Sequence, residues 1–243
     1  MRPWERIAKR ALDVTGAAVG LALSAPVIGV AALLIKQEDG GPALFRQERV
    51  GRDGAPFEVL KLRTMVINAE SLGAGYAVDT GDPRILRVGD LLRRTSIDEL
   101  PQFWNVLVGE MSLVGPRPTL QYQVDQYTDR QRRRLEVKPG LTGWAQIHGR
   151  ASLPWAERIE LDVWYVEHQS LRLDLEIMLR TVGTLFSRGG TYKGEAARSR
   201  VISARVEPWV VDQLDHDRQP EESRADVLTR WATLNRQDGH DEE

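Results

Sequence analysis

Two adjacent carboxylates, Asp98-Glu99, stand just before Pro101 in the stretch RRTSIDELPQFWNVLVGEMSLVGPRP (93–118). Proline cannot donate an intrahelical hydrogen bond, so Pro101 belongs in the first turn of a helix. Counting back places Asp98 at or beside the N-cap, with Glu99 next to it. Carboxylates there face the positive end of the helix dipole, which keeps them ionised. An ionised aspartate can attack phosphorus, and a neighbouring glutamate can hold a hard divalent cation. The same pair also suits ordinary capping, so both readings stand at this point.

Basic residues surround the pair in sequence. Lys61 and Arg63 alternate on a predicted strand and so share one face, with Leu62 on the other. Arg94 lies four residues before Asp98, Arg117 sits between Pro116 and Pro118, and Arg150 closes the segment VKPGLTGWAQIHGR (137–150). Guanidinium groups match phosphate oxygens in pairs. Each alone suits a surface ion pair; together, beside two carboxylates, they point to an anionic substrate. The chain has 243 residues and no cysteine, which removes thiol nucleophiles, disulfides and Cys-ligated metals. Its net charge of −2 gives no basic footprint for nucleic acid.

The elements that must position these groups begin with an uncharged run from Val14 to Ile35, VTGAAVGLALSAPVIGVAALLI. Its length is that of a bilayer-spanning helix, roughly 20 residues. Pro26 removes the bond to the Ala22 carbonyl and predicts a kink or break, which the Ser24 hydroxyl can help satisfy. Arg2, Arg6, Lys9 and Arg10 precede the run; Lys36, Arg46, Arg49 and Arg52 follow it. Basic flanks mark the cytoplasmic side, and here both flanks are basic. A re-entrant hairpin satisfies both; a spanning helix and a buried soluble helix remain alternatives.

Residues 3–12 read as a short basic amphipathic helix. LFRQERVG (44–51) and PFEVLKLRTM (56–65) flank Arg52-Asp53-Gly54 as a β-hairpin. Helix patterns cover 65–71, 84–94, 98–108, 119–135, 154–168 and 171–187, and 72–84 reads as a Gly-rich loop. Residues 193–243 carry a charge of −4, against +2 for the rest, and read as an acidic tail with one short helix after Ser223.

These residues resemble the bacterial sugar transferases, the monotopic phosphoglycosyl transferases of the polyprenol-phosphate class. The resemblance covers about residues 6–188. It rests on KRALDV (9–14), the apolar run with Pro26, FRQERVG (45–51), KLRTM (61–65), the 93–118 stretch, KPGLTGWAQIHGR (138–150) and ELDVWYV (160–166). It implies an α+β fold: a mostly helical monotopic membrane protein with one re-entrant N-terminal helix hairpin, interfacial amphipathic helices and a small β-hairpin. The implied segments are 1–36, basic and re-entrant; 37–190, catalytic; and 191–243, the tail.

The resemblance also implies a two-step reaction at the cytoplasmic face of the bacterial inner membrane. Asp98 would attack the β-phosphate of a nucleotide-diphosphate sugar, releasing UMP, and polyprenol phosphate would then take the phosphosugar. Glu99 would bind Mg²⁺. Lys61, Arg63, Arg94, Arg117, Gln146 and Arg150 make up the substrate set, and Ser24 with Pro26 the membrane break. Membrane lipids are the expected surroundings. A homodimer and downstream glycosyltransferases are compatible partners. The chain departs from the family at Ser24-Ala25-Pro26, where serine and proline are usually neighbours, and at His148, where asparagine is common. It resembles the short form, without the added spanning helices of the long one. An inactive membrane scaffold and a metal-dependent phosphodiesterase are the alternatives.

Overall fold

The computed structural model describes residues 1–69, 82–149 and 153–186, with side chains to residue 183. The Gly-rich loop predicted at 72–84 falls mostly outside these residues, and Arg150 and the 191–243 tail lie outside them altogether. The unit Met1–Arg198 contains everything described below.

Helix α1 spans Pro3–Asp39. A hairpin follows, with β1 at Leu44–Val50 and β2 at Pro56–Leu62, antiparallel in a register pairing Leu44 with Leu62 and Val50 with Pro56. Asp53 and Gly54 adopt positive φ in its turn, as the Asp-Gly pair predicts. Then come α2 (Arg87–Thr95), α3 (Gln102–Val108) and β3 (Ser112–Val114). Short helices α4 (Gln121–Val124) and α5 (Asp129–Arg132) lead to β4 (Gly140–Thr142), which runs parallel to β3. Helices α6 (Trp144–Ile147), α7 (Trp155–His168) and α8 (Leu171–Phe186) complete the described fold. It is mostly helical with two small sheets.

Two predicted elements differ, and a third lies partly outside the described residues. The basic stretch 3–12 is the first part of α1 rather than a separate helix. Residues 67–68 form a turn, with Asn68 left-handed, and the helix start expected over 65–71 runs past Ala69 beyond the described residues. The polar helix expected over 119–135 is split, because Thr128 caps a new helix by accepting from the Gln131 amide.

Helix α1 carries the main surprise. One helix runs continuously from Pro3 to Asp39 through Pro26. Ser24 Oγ donates to the Leu21 carbonyl at 3.3 Å, one residue away from the Ala22 carbonyl that Pro26 leaves unbonded. Packing holds the helix through the proline. Asp13, Ala17, Ser24, Ala31 and Ile35 form one buried stripe along it, the spacing of a single helix face. Ile35 and Ala31 join Leu62, Leu86 and Leu92 in a core under the hairpin. Gly20 lets α1 approach α3: a Cβ there would stand 2.7 Å from the Phe103 ring.

Both ends of α1 grip this body. Lys9 pairs with Asp174 at 2.7 Å, and Asp13 accepts from Ser112 Oγ and the Leu113 amide. At the other end Glu38 accepts the Arg87 and Val88 amides, capping α2 with a carboxylate. Asp39 holds Arg63. The outer face is apolar, and Val19, Leu23, Val30 and Leu33 are each more than half exposed. A continuous apolar face of this kind marks a membrane or partner surface.

Candidate active site

Asp98 and Glu99 sit where α2 hands over to α3. Ser96 adopts φ 58, ψ 19 and ends α2, and Ile97–Glu99 form a single tight turn. Pro101 is the N-cap of α3, not its first turn, and Asp98 makes no capping bond. Asn105 fixes this turn against the hairpin. Its side chain accepts the Leu60 amide at 3.0 Å and donates to the Glu58 carbonyl at 2.7 Å. Lys61, next along β2, is thereby brought to Glu99.

Glu99 is held on two sides. Lys61 Nζ reaches its Oε1 at 2.9 Å. Arg117 grips both oxygens, closely at Oε1 and at 3.3 Å at Oε2. Arg117 owes its place to the strand pair. Beyond β3, the Gly115 amide bonds the Thr142 carbonyl and the Pro116 carbonyl accepts the Gly140 amide. Burial alone would raise the Glu99 carboxyl, but the charges and hydrogen bonds of Arg117 and Lys61 hold it far below the carboxylate range.

Asp98 receives no hydrogen bond from the described residues. Burial and the adjacent Glu99 charge push it up to about 6, against the pull of Lys61, Arg93 and Arg117. This is not the simple dipole stabilisation that its sequence position suggests. A carboxyl titrating there is still about nine-tenths ionised at pH 7. It is an unpartnered carboxylate among fixed cations, which is the arrangement of a nucleophile for an anionic centre.

The pair opens into a cavity of about 1730 Å³, lined by the hairpin, the 93–100 turn, the 117–123 segment, the β4–α6 region, α7 and α8. Lys61, Arg117 and Gln146 line it. Both amide atoms of Gln146 are buried without a partner. Arg63 is engaged elsewhere. Its guanidinium holds Asp39 and bonds the Pro42 and Met65 carbonyls, tying the end of α1 to β2. Arg94 points away and pairs with Asp90 on the outer face of α2.

Arg93, not singled out in sequence, lines the cavity and acts on Asp98. The left-handed Ser96 breaks the four-residue spacing that favoured Arg94, and the consecutive arginines were the only signal. Arg134, Arg158 and Asp162 were also missed: Arg158 and Asp162 stand four residues apart on α7, a spacing that sequence does not distinguish from a surface pair, and Arg134 reaches them from a separate element. Arg134 is buried, pairs with Asp162 and Tyr127, and bonds the Arg117 carbonyl.

Among the described residues no three carboxylates or imidazoles converge. A divalent cation here would rest on the Asp98-Glu99 pair and on oxygens brought by substrate. Glu99 Oε2, engaged only at 3.3 Å, leaves room for that. This fits Mg²⁺, which uses few protein carboxylates beside phosphates and water.

A mostly helical body with one long apolar helix and a carboxylate pair in a basic cavity defines a class, and comparison places the chain in it. Residues 4–188 match the bacterial sugar transferase family, and the chain belongs to that family. It is 48% identical over 192 residues to the UDP-glucose:undecaprenyl-phosphate glucose-1-phosphate transferase of Caulobacter vibrioides, covering 76% of this chain and 72% of that protein. It is 45% identical over 176 residues to an uncharacterized sugar transferase, EpsL, of Bacillus subtilis, covering 72% of this chain and 86% of that protein. Against the UDP-glucose:undecaprenyl-phosphate glucose-1-phosphate transferase of Escherichia coli the identity is 42%, over 77% of this chain and 42% of that protein.

Proposed function

We propose that this protein transfers a phosphosugar from a UDP-sugar to polyprenol phosphate through Asp98. The observation that carries this reading is the unpartnered Asp98 carboxylate beside Glu99, Lys61 and Arg117 in the basic cavity. The names of the relatives supply the substrate class.

In the first step an Asp98 oxygen attacks the β-phosphorus. The bond from that phosphorus to the bridging oxygen breaks, and UMP leaves with that oxygen. The phosphosugar stays on Asp98 as an acyl phosphate. In the second step an oxygen of polyprenol phosphate attacks the same phosphorus, the Asp98 carboxylate is released, and polyprenyl-diphosphate-sugar forms. Positioning and neutralisation of charge supply most of the catalysis in such transfers. Lys61 and Arg117 orient Glu99, and Arg93 adds positive charge beside Asp98. Glu99 would hold Mg²⁺, which when bound neutralises phosphate charge.

The outer face of α1 would lie in lipid as a re-entrant element. The grip at both of its ends on one body supports this, as do the basic flanks. The active site would then face the cytoplasm at the headgroup level, where a lipid phosphate is found.

The test is covalent labelling. Purified enzyme given a UDP-sugar labelled in the sugar, without lipid, is expected to retain label and release UMP. Asp98→Asn should do neither. UMP release by Asp98→Asn at the wild-type rate overturns the mechanism.

A further inference from the structure

Most cations lining the cavity are engaged. Lys61 and Arg117 hold Glu99, Arg134 holds Asp162, and Arg63 holds Asp39. Arg158 on α7 differs. Its guanidinium donates no hydrogen bond to the described residues, and its Nε is buried and unpartnered. It lies 5.0 Å from the centre of the Trp155 ring, which is 37% exposed. Beside it Asp162 is 2% exposed, with Oδ1 unpartnered. Burial lowers the Arg158 pKa against the pull of the Asp162 charge, and the nearby Arg117 and Arg134 lower it further.

A buried guanidinium Nε and a buried carboxylate oxygen, each without a hydrogen-bond partner, are costly unless a ligand completes them. The pair asks for a ligand with both acceptors and a donor. The partly exposed Trp155 ring beside them, which lines the cavity, offers a stacking surface. This corner is linked to the chemistry, because Arg134 bonds the Arg117 carbonyl and the Arg117 side chain grips Glu99. The first half of α7 packs on Val50, Val124 and Tyr127.

We propose that Trp155, Arg158 and Asp162 form the subsite for the departing nucleoside monophosphate. This rests on the reading of the cavity as a phosphoglycosyl transferase site. Arg158 binds the α-phosphate, which gains a negative charge as the bond to the β-phosphorus breaks. Trp155 stacks on the base, and Asp162 accepts from a sugar hydroxyl or a base N–H.

The experiment is calorimetric titration of the full chain in detergent with UMP. Stacking alone is worth about 1–3 kcal/mol per base, so Trp155→Ala should weaken UMP about tenfold or more. Arg158→Ala should do the same, with Trp155→Phe and Arg158→Lys recovering part of the loss. KM for polyprenol phosphate should hold in every variant, and melting temperatures show that each is folded. UMP binding within twofold of wild type in Arg158→Ala and Trp155→Ala overturns the proposal. So does a rise in KM for polyprenol phosphate that matches the loss of UMP affinity, which would assign the corner to the acceptor. UMP binding that depends on Arg158 in an enzyme that never labels covalently would overturn the two-step mechanism and leave this subsite standing.

Discussion

Asp98 and Glu99 share one short turn, yet only Glu99 receives hydrogen bonds. The difference makes a pH prediction. In the proposed mechanism Asp98 attacks in its ionised form, and its carboxyl lies near 6, raised by burial and by Glu99. Glu99 stays ionised far below that. UMP release in the first step should therefore be level above about pH 7 and fall about tenfold per pH unit well below 6. An acid limb centred near 4, the ordinary carboxylate range, would show that Asp98 is not desolvated in this way. Arg63 leads to a second expectation. It is 5% exposed and spans Asp39 and two carbonyls. Arg63→Ala should cost on the order of 2–4 kcal/mol in chemical denaturation, because it breaks a buried pair. Asp39→Ala should cost a similar amount, and the double variant less than the sum. KM for the UDP-sugar should barely change, which separates a structural tie from a phosphate clamp.

At the scale of elements, α1 is the part whose sequence signal and structure diverge most. Pro26 predicts an interruption because it removes a bond and clashes with the preceding turn. The buried stripe from Asp13 to Ile35 keeps the helix on the body across that point. Close approach depends on small residues at the contact. Gly20→Val would drive a branched side chain into the Phe103 ring, and overpacking typically costs about 1–3 kcal/mol. The expected outcome is a melting temperature several degrees lower, with faster limited proteolysis of α1. Phe103 also lines the cavity, so UMP release should fall as well. The hairpin and α8 were legible from alternation and period, since their patterns are local. The 119–135 helix was misread, because the capping geometry at Thr128 overrides its uniformly polar composition.

At the scale of the whole molecule, the arrangement of α1 bears on topology. Both of its ends bind one body, while its outer face is apolar. Cysteine labelling is direct in a chain without cysteine. Glu5→Cys and Arg52→Cys should react with an impermeant reagent from the same face of the membrane. Reaction from opposite faces would mean that α1 spans. The family match ends at residue 188, so it does not extend over the acidic tail.

What the sequence alone determined was chemistry that is local in the chain. The adjacent Asp98-Glu99, the absence of cysteine, the apolar run with basic flanks and the hairpin turn were all visible there. So was the family, because its motifs are contiguous. Only the tertiary structure decided which charges meet. Lys61 and Arg117 converge on Glu99 from a strand and a strand-following loop. Arg63 turns to Asp39, Arg93 rather than Arg94 acts on Asp98, and the Arg158 Nε is left without a hydrogen-bond partner beside Trp155. Those outcomes depend on how separate elements pack and on what burial does to each charge, and neither is written in the spacing of residues along one segment.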